Sequence, residues 1–261
     1  MTYWYFHAVF ILPVIGALWL VRRSGLPHFL PRPALGLLIL GSLAFFYTSP
    51  WDNYLVFRGI WTYPPDRVVE SLRIGYVPLE EYVFFILQPI LTGFFLLHFA
   101  SLDPKSVDLL LGATTRRARP RVVGLAISLL LLLLGIWAFS HGGHSTYFGL
   151  IAVWASPVLG LQWLYGADLI WRVRRLALRA VLAPTLYLWI ADRIALEWRI
   201  WSVSAKLSSG WNVLDLPLEE ALFFALTNVF VVQGLLLYFE FVARRKSATE
   251  APQFVAGAPV T

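Results

Sequence analysis

Cysteine is absent from all 261 residues of the sequence. This absence excludes a disulfide bond, a thiolate metal site and a cysteine nucleophile. Charged residues are scarce as well, at 14% of the chain, whereas a soluble domain carries about a quarter. Hydrophobic residues make up 59% and fall in long runs, so the sequence predicts an integral membrane protein in contact with the lipid bilayer. No nucleic-acid partner is predicted, because the basic residues behind the net charge of +6 fall in short loops.

Several motifs of membrane enzymes and receptors are also missing. Lys105, Lys206 and Lys246 lie outside the long apolar runs, which argues against a retinal Schiff base inside a membrane span. The sequence has no aspartate-rich motif that would bind a diphosphate through magnesium, and no Gly-x-Gly-x-x-Gly pattern of a dinucleotide fold. Among the scattered histidines, only His141-Gly142-Gly143-His144 has a metal-like spacing, and it lies in a short loop. The sequence therefore predicts no metal ion and no other cofactor.

The apolar runs predict seven membrane-spanning helices, since a bilayer core of ~30 Å needs about 20 helical residues. No basic residue precedes the first run, so it is predicted to be a retained span rather than a cleaved signal peptide. Arginine and lysine gather after the first, third, fifth and seventh runs. The positive-inside rule therefore predicts an outside N-terminus and a cytoplasmic C-terminus in the cell membrane. The predicted spans are residues 3–21, 34–51, 77–99, 122–140, 147–165, 178–196 and 216–242.

Two parts of the chain repeat one arrangement of motifs. Trp61 lies nine residues after Asp52, Trp201 lies nine residues after Asp192, and a Pro-Leu-Glu-Glu sequence follows each pair. Spans one to three thus correspond to spans five to seven, and span four lets both copies run in the same direction. The predicted fold is an all-α membrane protein with seven transmembrane helices, in tandem parallel three-helix repeats joined by an extra helix. Its predicted segments are a first repeat at 1–115, a linking helix at 116–145, a second repeat at 146–246 and a disordered tail at 247–261.

Two glutamates stand side by side where two of these spans begin, Glu80 and Glu81 in one repeat and Glu219 and Glu220 in the other. An ionised carboxylate is costly in apolar surroundings, so four of them at membrane-entry positions need a reason. One reason is electrostatic, because carboxylates in a first helical turn complement the helix dipole and can sit among lipid headgroups. The other reason is chemical, because such carboxyls can transfer protons.

Asp52 and Asp192 are predicted to lie at the depth of the glutamates, since each precedes the loop that leads to a Glu-Glu pair. Two interpretations stay open for these aspartates: a part in the chemistry, or ion pairs with Arg58 and Arg199 and loop capping.

One helix face of the third span carries polar side chains. Glu81, Gln88 and Thr92 are spaced by seven and four residues, which places them on one face. Glu220 and Thr227-Asn228 give a shorter equivalent in the seventh span. These faces are predicted to point into the bundle, because lipid offers such groups no partner.

These motifs together resemble the heterodimeric lycopene cyclase family. The first copy carries Trp51-Asp52-Asn53-Tyr54, Gly59-Ile60-Trp61, Pro78-Leu79-Glu80-Glu81 and Phe84-Phe85, and the second carries Ala191-Asp192-Arg193-Ile194-Ala195, Trp201, Pro217-Leu218-Glu219-Glu220, Phe223-Phe224 and Thr227-Asn228. Because one chain holds both copies, it resembles the fused single-chain form, up to about Ala243. The sequence departs from the family at Arg199-Ile200, where a glycine is common, as at Gly59. The departure concerns the conformation of the second loop.

The resemblance implies carotenoid biosynthesis: a membrane isomerase that closes the linear ends of lycopene into β-ionone rings, through γ-carotene to β-carotene. That reaction needs an acid for a terminal double bond, a base for a ring proton and a dry aromatic pocket. We favour Glu81 and Glu220 as the inward-facing pair, with Glu80 and Glu219 in support. The predicted catalytic residues are Glu80, Glu81, Glu219, Glu220, Asp52 and Asp192. The predicted substrate-binding residues are Trp61, Phe84, Phe85, Gln88, Trp201, Phe223, Phe224, Thr227 and Asn228.

Several alternatives remain at this point. The phenylalanine pairs serve packing or stabilise a cation, and the two halves form either one composite site or two separate sites. A proton-coupled transporter with the glutamates as a relay, and a carotenoid-binding protein without turnover, are the competing functions. The partners implied by the resemblance are lycopene or a related linear carotenoid, and other enzymes of the carotenoid pathway.

Overall fold

The structure, a computed structural model, describes residues 1–23, 30–112 and 116–250, and most of them are helical. A π-helical turn, His7–Ile11, connects the first two helices, and a 3-10 turn, Gly143–Ser145, precedes the seventh. The helices are α1 (Tyr3–Phe6), α2 (Leu12–Arg23), α3 (Pro33–Phe57), α4 (Leu79–Ser101), α5 (Pro104–Leu111), α6 (Ala118–His141), α7 (Thr146–Arg172), α8 (Arg174–Glu197) and α9 (Leu218–Glu250).

Six helical stretches in the described part of the chain are long and apolar enough to cross a membrane. They comprise α1 with α2, then α3, α4, α6, α7 with its preceding turn, and α9. The predicted sixth span, 178–196, falls within α8. That helix has 24 residues but is not among the six, because charged residues such as Arg179, Asp192 and Arg193 make it less apolar. The molecule is therefore a helical membrane protein, and its seventh span stays a prediction.

Three helices run at least six residues beyond the predicted ends of their spans, and one of them is α7, which continues to Arg172 although the fifth span was predicted to end at 165. The second span was predicted to end at residue 51, whereas α3 continues to Phe57. The seventh was predicted to end at 242, whereas α9 continues to Glu250 and so includes the first four residues of the predicted disordered tail. The rest of that tail, 251–261, lies outside the described residues.

Helix α6 packs mainly against α7, and small residues let the two backbones approach closely. A Cβ added at Gly149 would lie 2.5 Å from the Phe139 nitrogen, and one at Gly135 would lie 2.8 Å from the Ala152 Cβ. Much of the remaining α6 surface is exposed leucine. This helix, which was predicted to link two repeats, thus lies at the edge of the bundle.

Three short two-stranded sheets shape the loops that follow α3 and α8. The hairpins β2–β3 and β5–β6 lead directly into α4 and α9, respectively. Strands β1 and β4 pair antiparallel and join the two loops, with Thr62 opposite Ser202 and their hydroxyl oxygens 2.7 Å apart. The strands are β1 (Trp61–Thr62), β2 (Arg73–Ile74), β3 (Val77–Pro78), β4 (Ser202–Val203), β5 (Asn212–Val213) and β6 (Leu216–Pro217).

Both loops begin with the same left-handed turn. Gly59 has φ +67° and Arg199 has φ +51°. The next amide, of Ile60 or Ile200, donates to the carbonyl five residues earlier at 2.9 Å in each loop. Arg199 thus adopts the conformation for which glycine is suited, at a cost of roughly 1–2 kcal/mol. Although the second loop has an arginine where the family commonly has a glycine, its first turn has the same conformation as the first turn of the other loop.

Two apolar clusters hold the bundle together. One lies at the opposite end from the hairpins and includes Leu96, Leu176 and Leu235. The other lies where α4 and α9 begin and is dominated by aromatic rings, among them Trp61 and Phe223. The candidate site lies within this aromatic cluster.

Candidate active site

The aromatic cluster surrounds a small, partly open cavity at the end of the bundle where α4 and α9 begin, with about 300 Å³ of space, its open side included. Two carboxyl groups lie among hydroxyl, indole and phenyl groups in its wall. The lining residues are Tyr3, Trp61, Tyr63, Glu81, Phe84, Trp201, Glu220, Phe223 and Phe224.

The hairpins place one glutamate of each Glu-Glu pair at this cavity. Pro78 and Pro217 close the hairpins, and each is followed by the first turn of a helix. Acidic side chains suit such a turn because they complement the helix dipole. Neighbouring helical residues project about 100° apart, so the two members of each pair face different surroundings.

The first glutamate of each pair faces the loop before its helix. Glu80 Oε1 accepts a hydrogen bond from the Val69 amide at 2.9 Å, and Glu219 Oε1 accepts one from the Ser209 amide at 2.6 Å. Neither side chain lines the cavity. These two carboxyls thus bind the loops that precede their helices, and their supporting role in the chemistry stays a prediction.

Glu81 lines the cavity and accepts hydrogen bonds from two hydroxyl groups. Its Oε2 accepts a hydrogen bond from Tyr3 at 2.6 Å and another from Tyr63 at 2.9 Å. Tyr63 lies in the loop outside the spans, and its burial, together with the charge of Glu81, raises the pKa of the Tyr63 hydroxyl well above its usual value. Tyr63 therefore stays a hydrogen-bond donor at neutral pH.

Glu220 is the matching carboxyl of α9, and its donors come from both halves of the chain. Its Oε1 accepts a hydrogen bond from Trp61 Nε1 at 2.8 Å and one from the Tyr147 hydroxyl at 2.7 Å. Trp61 follows α3, whereas Tyr147 begins α7. The loop of the first half thus contributes directly to the carboxyl of the second.

Asp52 and Asp192 are fully buried beside these glutamates, and their surroundings differ. Asp192 Oδ1 accepts a hydrogen bond from Trp201 Nε1 at 2.9 Å. Both carboxyl oxygens of Asp52 lack a hydrogen-bond partner within the described residues. The ion-pair interpretation of these aspartates is wrong, since Arg58 donates to the Tyr54 hydroxyl and no salt bridge in the described chain reaches either aspartate.

The six predicted catalytic carboxyls are at most 5% exposed, and within the described residues no arginine, lysine or histidine forms a salt bridge with any of them. Such burial does not fit side chains among lipid headgroups. Buried like charges without a counter-ion are strongly unfavourable. The cluster is therefore suited to hold protons.

Aromatic rings form the rest of the cavity wall. Phe223 lies at their centre, with ring centroids 5.3 Å from Trp61, 5.4 Å from Phe224 and 5.6 Å from Trp51. Phe84 meets Phe224 edge to face at 6.0 Å. These rings exclude water and present π faces to any positive charge that forms in the cavity.

A larger apolar groove adjoins the cavity between α3, α4, α7 and α9, with about 1150 Å³ of space, its open side included. Phe84 and Phe223 line both spaces. Leu43 and Leu161 also line the groove, and they are 59% and 70% exposed on the lipid-facing surface. Phe84 and Phe223 therefore stand between this groove and the cavity that holds the two glutamates.

The predicted substrate-binding residues are divided between these spaces. Trp61, Phe84, Trp201, Phe223 and Phe224 line the cavity, whereas Phe85, Gln88 and Thr227 line the groove together with Phe84 and Phe223.

Asn228 lines neither space and joins three helices instead. Its Oδ1 accepts hydrogen bonds from Gln88 Nε2 at 2.7 Å and from the Thr92 hydroxyl at 2.5 Å. Its Nδ2 donates to Thr185 Oγ1 at 2.9 Å. The polar stripe predicted on α4 therefore meets its partner on α9 inside the bundle.

Four residues of this geometry were not predicted: Tyr3, Tyr63, Tyr147 and His7. Tyr3 and Tyr147 each follow a threonine at the start of the first and fifth spans, a match that the sequence could have revealed. Tyr63 has no such signal. His7 Nε2 lies 2.9 Å from a backbone carbonyl of α4, and its ring stacks on Phe84 with centroids 6.1 Å apart.

Comparison with known proteins gives three informative similarities. The chain is 41% identical over 248 residues to the lycopene beta-cyclase of Halobacterium salinarum, a match that covers 93% of this chain and 98% of that protein. It is 34% identical over 220 residues to the bifunctional lycopene cyclase/phytoene synthase of Podospora anserina, covering 83% of this chain and 36% of that protein. It is 37% identical over 234 residues to the bifunctional lycopene cyclase/phytoene synthase of Pyrenophora tritici-repentis, a match that covers 87% of this chain and 39% of that protein. No protein-family model and no solved structure matches the chain.

Proposed function

Because the chain belongs to the lycopene cyclase family and is an enzyme that cyclises lycopene in carotenoid biosynthesis, we propose that one composite site performs the proton transfers. The observation that carries this proposal is that Glu81 of α4 and Glu220 of α9 line a single cavity. A hydrogen bond between the halves also supports the composite site, since Trp61 of the first half donates it to Glu220 of the second.

The reaction requires one proton to be added and one to be removed. An acid protonates the terminal carbon–carbon double bond of the substrate and leaves a tertiary carbocation. A neighbouring double bond attacks that cation, closes a six-membered ring and moves the charge onto the ring. A base then removes an adjacent ring proton and restores a double bond. The product is an isomer of the substrate, so no oxidant or reductant is consumed.

Glu81 and Glu220 are the acid and base of this reaction in our proposal, and Glu80 and Glu219 hold the loops. The mechanism gives Asp52 no step. Phe84, Phe223 and Phe224 present their rings to the cation, an effect of about 0.5–2 kcal/mol for each ring. β-Rings are the proposed product, because the Halobacterium relative is named a beta-cyclase.

The substrate reaches the cavity from the bilayer through the apolar groove. A linear carotenoid is a long hydrocarbon, and the groove offers it an apolar wall that extends away from the glutamates. The reacting end then lies in the cavity past Phe84 and Phe223, while the rest of the molecule occupies the groove. We also propose that the protein interacts with other enzymes of the carotenoid pathway in the membrane.

The proposed topology has seven crossings, with α8 as the sixth and with two tandem three-helix repeats. Matching hydrogen bonds in the two halves support the repeat. The Tyr3 amide donates a hydrogen bond to the Arg67 carbonyl, and the Tyr147 amide donates one to the Leu207 carbonyl. In the same way, the Val69 amide donates to Glu80 and the Ser209 amide donates to Glu219.

The proposed orientation places the N-terminus outside and the C-terminus in the cytoplasm of the cell. Positive loop charge supports it, since basic residues such as Arg116, Arg174 and Arg244 lie at the end of the bundle opposite to Glu81. Cytoplasmic loops carry such an excess of positive charge.

The proton-coupled transporter receives no support from the relatives, which are named as cyclases. The remaining alternative function is a carotenoid-binding protein without turnover, and pigment analysis distinguishes it from an enzyme. The test is expression in a bacterial host that accumulates lycopene, followed by chromatography of the pigments. We expect the wild-type chain to convert lycopene to γ- and β-carotene, and unchanged lycopene beside membrane-inserted protein would refute the enzyme.

Glu81→Gln and Glu220→Gln, made separately, test the composite site in the same host. A composite site loses cyclisation in both variants, whereas two independent sites would each leave about half of the wild-type rate. Glu70→Gln is the matched control, because Glu70 is exposed and its one salt bridge within the described residues is with Arg73. Full activity of either cavity variant would remove that glutamate from the mechanism.

A further inference from the structure

We propose that His7 and Trp189 are positioning residues of the cyclase. Each donates a ring N–H to a backbone carbonyl in the first turn of a glutamate-bearing helix, and so fixes the direction in which the cavity carboxyl of that turn projects. His7 acts on Glu81 in this way, and Trp189 acts on Glu220. This inference rests on the proposed function, in which the two glutamates transfer protons in one cavity.

His7 joins the first span to the start of α4. Its side chain is buried, and Nε2 lies 2.9 Å from the Glu80 carbonyl oxygen. A carbonyl has no hydrogen to donate, so Nε2 carries the hydrogen of this bond. The ring also stacks on Phe84, with centroids 6.1 Å apart and planes at 11°. The imidazole therefore contacts α4 at residues before and after Glu81.

Tyr3 acts on the same turn of α4 as His7. The two residues are four apart, which places them on one face of the first span, and the Tyr3 hydroxyl donates to Glu81 itself. A π-helical turn begins at His7, and such turns are frequent at functional sites. Two side chains of the first span thus hold one turn of α4, one through the carboxyl and the other through the backbone.

Trp189 makes the equivalent contact in the second half. Its Nε1 donates to the Ala221 carbonyl at 2.9 Å, next to Glu220 in the first turn of α9. Within a helix, such a carbonyl also accepts the amide four residues later. Because the oxygen has two lone pairs, it can accept a second donor. The indole therefore adds a bond to this turn without displacing one of the helix.

The two halves obtain this contact from different spans. Alignment of the two Thr-Tyr pairs places Ile151, which has no polar side-chain group, where the first half has His7. Alignment of the two Asp…Trp motifs places Ser49 where the second half has Trp189, and the Ser49 hydroxyl donates to Phe45 in its own helix. Each half thus lacks the donor that the other half uses, yet both glutamate-bearing turns receive a ring N–H. This agreement indicates that the contact itself serves the site.

The direction of the two carboxyls matters because protons must move onto and off particular carbon atoms of the substrate. Side-chain donors already hold the tips of Glu81 and Glu220. His7 and Trp189 instead fix the backbone from which those side chains project. A misplacement of about 1 Å can lower a rate by about 100-fold. Loss of either ring N–H should therefore lower kcat and leave binding of the substrate chain in the groove nearly unchanged.

His7→Phe and Trp189→Phe remove the N–H and keep an aromatic ring in place. We expect kcat for lycopene cyclisation in proteoliposomes of the full chain to fall about 10- to 100-fold in each variant, with KM within about twofold of wild type. His7→Gln is the conservative counterpart, because the glutamine amide offers an N–H at a similar reach. Its kcat should be at least about fivefold above that of His7→Phe.

Ser128→Ala is the matched control for stability. The buried Ser128 hydroxyl donates to the Ser156 carbonyl at 2.6 Å, so this change also removes a side-chain donor from a backbone carbonyl between two helices. Neither serine lines the cavity or the groove. The thermal midpoints of His7→Phe, Trp189→Phe and Ser128→Ala should agree within about 4 °C, while Ser128→Ala keeps the wild-type kcat. A kcat loss with midpoints far below that of the control would assign the two rings to stability and overturn the positioning role.

Two kinetic results would also overturn the inference. One is a wild-type kcat in His7→Phe or Trp189→Phe. The other is a higher kcat in His7→Phe than in His7→Gln, which would assign the effect to ring stacking on Phe84. The proposed function fails differently, through full cyclisation by Glu81→Gln and Glu220→Gln. If both of these cavity variants are inactive while both phenylalanine variants keep the wild-type kcat, the positioning role alone is refuted.

Discussion

Filling the apolar groove should block the enzyme without unfolding it. Ala44 lies near the middle of α3 and lines the groove between the lipid surface and the cavity. Ala44→Trp would place an indole where the proposed path holds the chain of the substrate. Ala126→Trp is the matched control, because Ala126 lies at a comparable position in α6, is exposed to lipid and does not line the groove.

The expected loss of activity follows from competition between the introduced indole and the substrate chain for the same space in the groove. Forcing extra groups into a filled apolar site costs typically 1–3 kcal/mol. That cost applies to the enzyme–substrate complex and not to the free enzyme, since the groove holds about 1150 Å³ of empty space. We therefore expect kcat/KM for lycopene to fall roughly 5- to 150-fold in Ala44→Trp. The thermal midpoints of the two variants should agree within about 3 °C.

The assay is initial-rate cyclisation in proteoliposomes at a series of lycopene contents, with pigments separated by chromatography. The decisive quantity is the ratio of kcat/KM between Ala44→Trp and Ala126→Trp. A ratio near one, with both variants folded, would refute lateral entry through this groove. The substrate would then have to reach Glu81 and Glu220 by another route.

Three further changes test other parts of the structure. Phe223→Leu removes the central ring of the cavity wall, so kcat should fall by up to about 30-fold, which corresponds to ~2 kcal/mol of cation stabilisation; an unchanged kcat would contradict the role of that ring. Gly135→Leu should lower the free energy of unfolding in detergent by about 1–3 kcal/mol, because its Cβ would meet Ala152 at 2.8 Å. Gly16→Leu, with nothing within 4 Å of the added Cβ, should have little effect. Arg199→Gly should raise the free energy of unfolding by ~0.5–1 kcal/mol by relieving a left-handed residue, and a lower thermal midpoint would contradict this reasoning.

Local sequence signals indicated the carboxyl groups of the candidate site, because ionised carboxyls conflict with apolar surroundings. Glutamates at the start of apolar runs stand out in any reading of hydropathy, and the stripe from Glu81 to Thr92 indicates which member of a pair turns inward. The structure places Glu81 and Glu220 in the cavity wall and Glu80 and Glu219 toward the loops. Helix geometry alone decides that division.

The hydrogen-bond donors could not be predicted in the same way. Tyr3, Tyr63 and Tyr147 are ordinary residues for a membrane interface, where tyrosine is common. Their hydroxyls reach Glu81 and Glu220 only through contacts between distant parts of the chain, the longest separated by 78 residues. The repeated Thr-Tyr pair could have singled out Tyr3 and Tyr147, but their contacts with the glutamates depend on how the helices pack, which no local pattern encodes.

The ion-pair interpretation of the aspartates failed for a related reason. Arg58 and Asp52 are six residues apart, which suggests a contact on sequence alone. Asp52 lies in the last turns of α3 and points into the bundle, whereas Arg58 follows the helix end and donates to Tyr54 at the surface. The helix separates the two side chains, because six residues are not a multiple of its period.

Divergence between the two halves gives Glu81 and Glu220 different hydrogen-bond donors within one cavity. A perfect two-fold site would give both glutamates the same donors and hence the same affinity for a proton. The halves meet at the β1–β4 pair, where Thr62 lies opposite its counterpart Ser202, and on either side of that point their contacts differ. One residue along, Tyr63 donates to Glu81 while Val203 donates nothing from its side chain, and Trp61 crosses to Glu220. Because both halves belong to one chain, a substitution at Tyr63 removes a donor of Glu81 and one at Trp61 removes a donor of Glu220, so the two carboxyls can be perturbed separately.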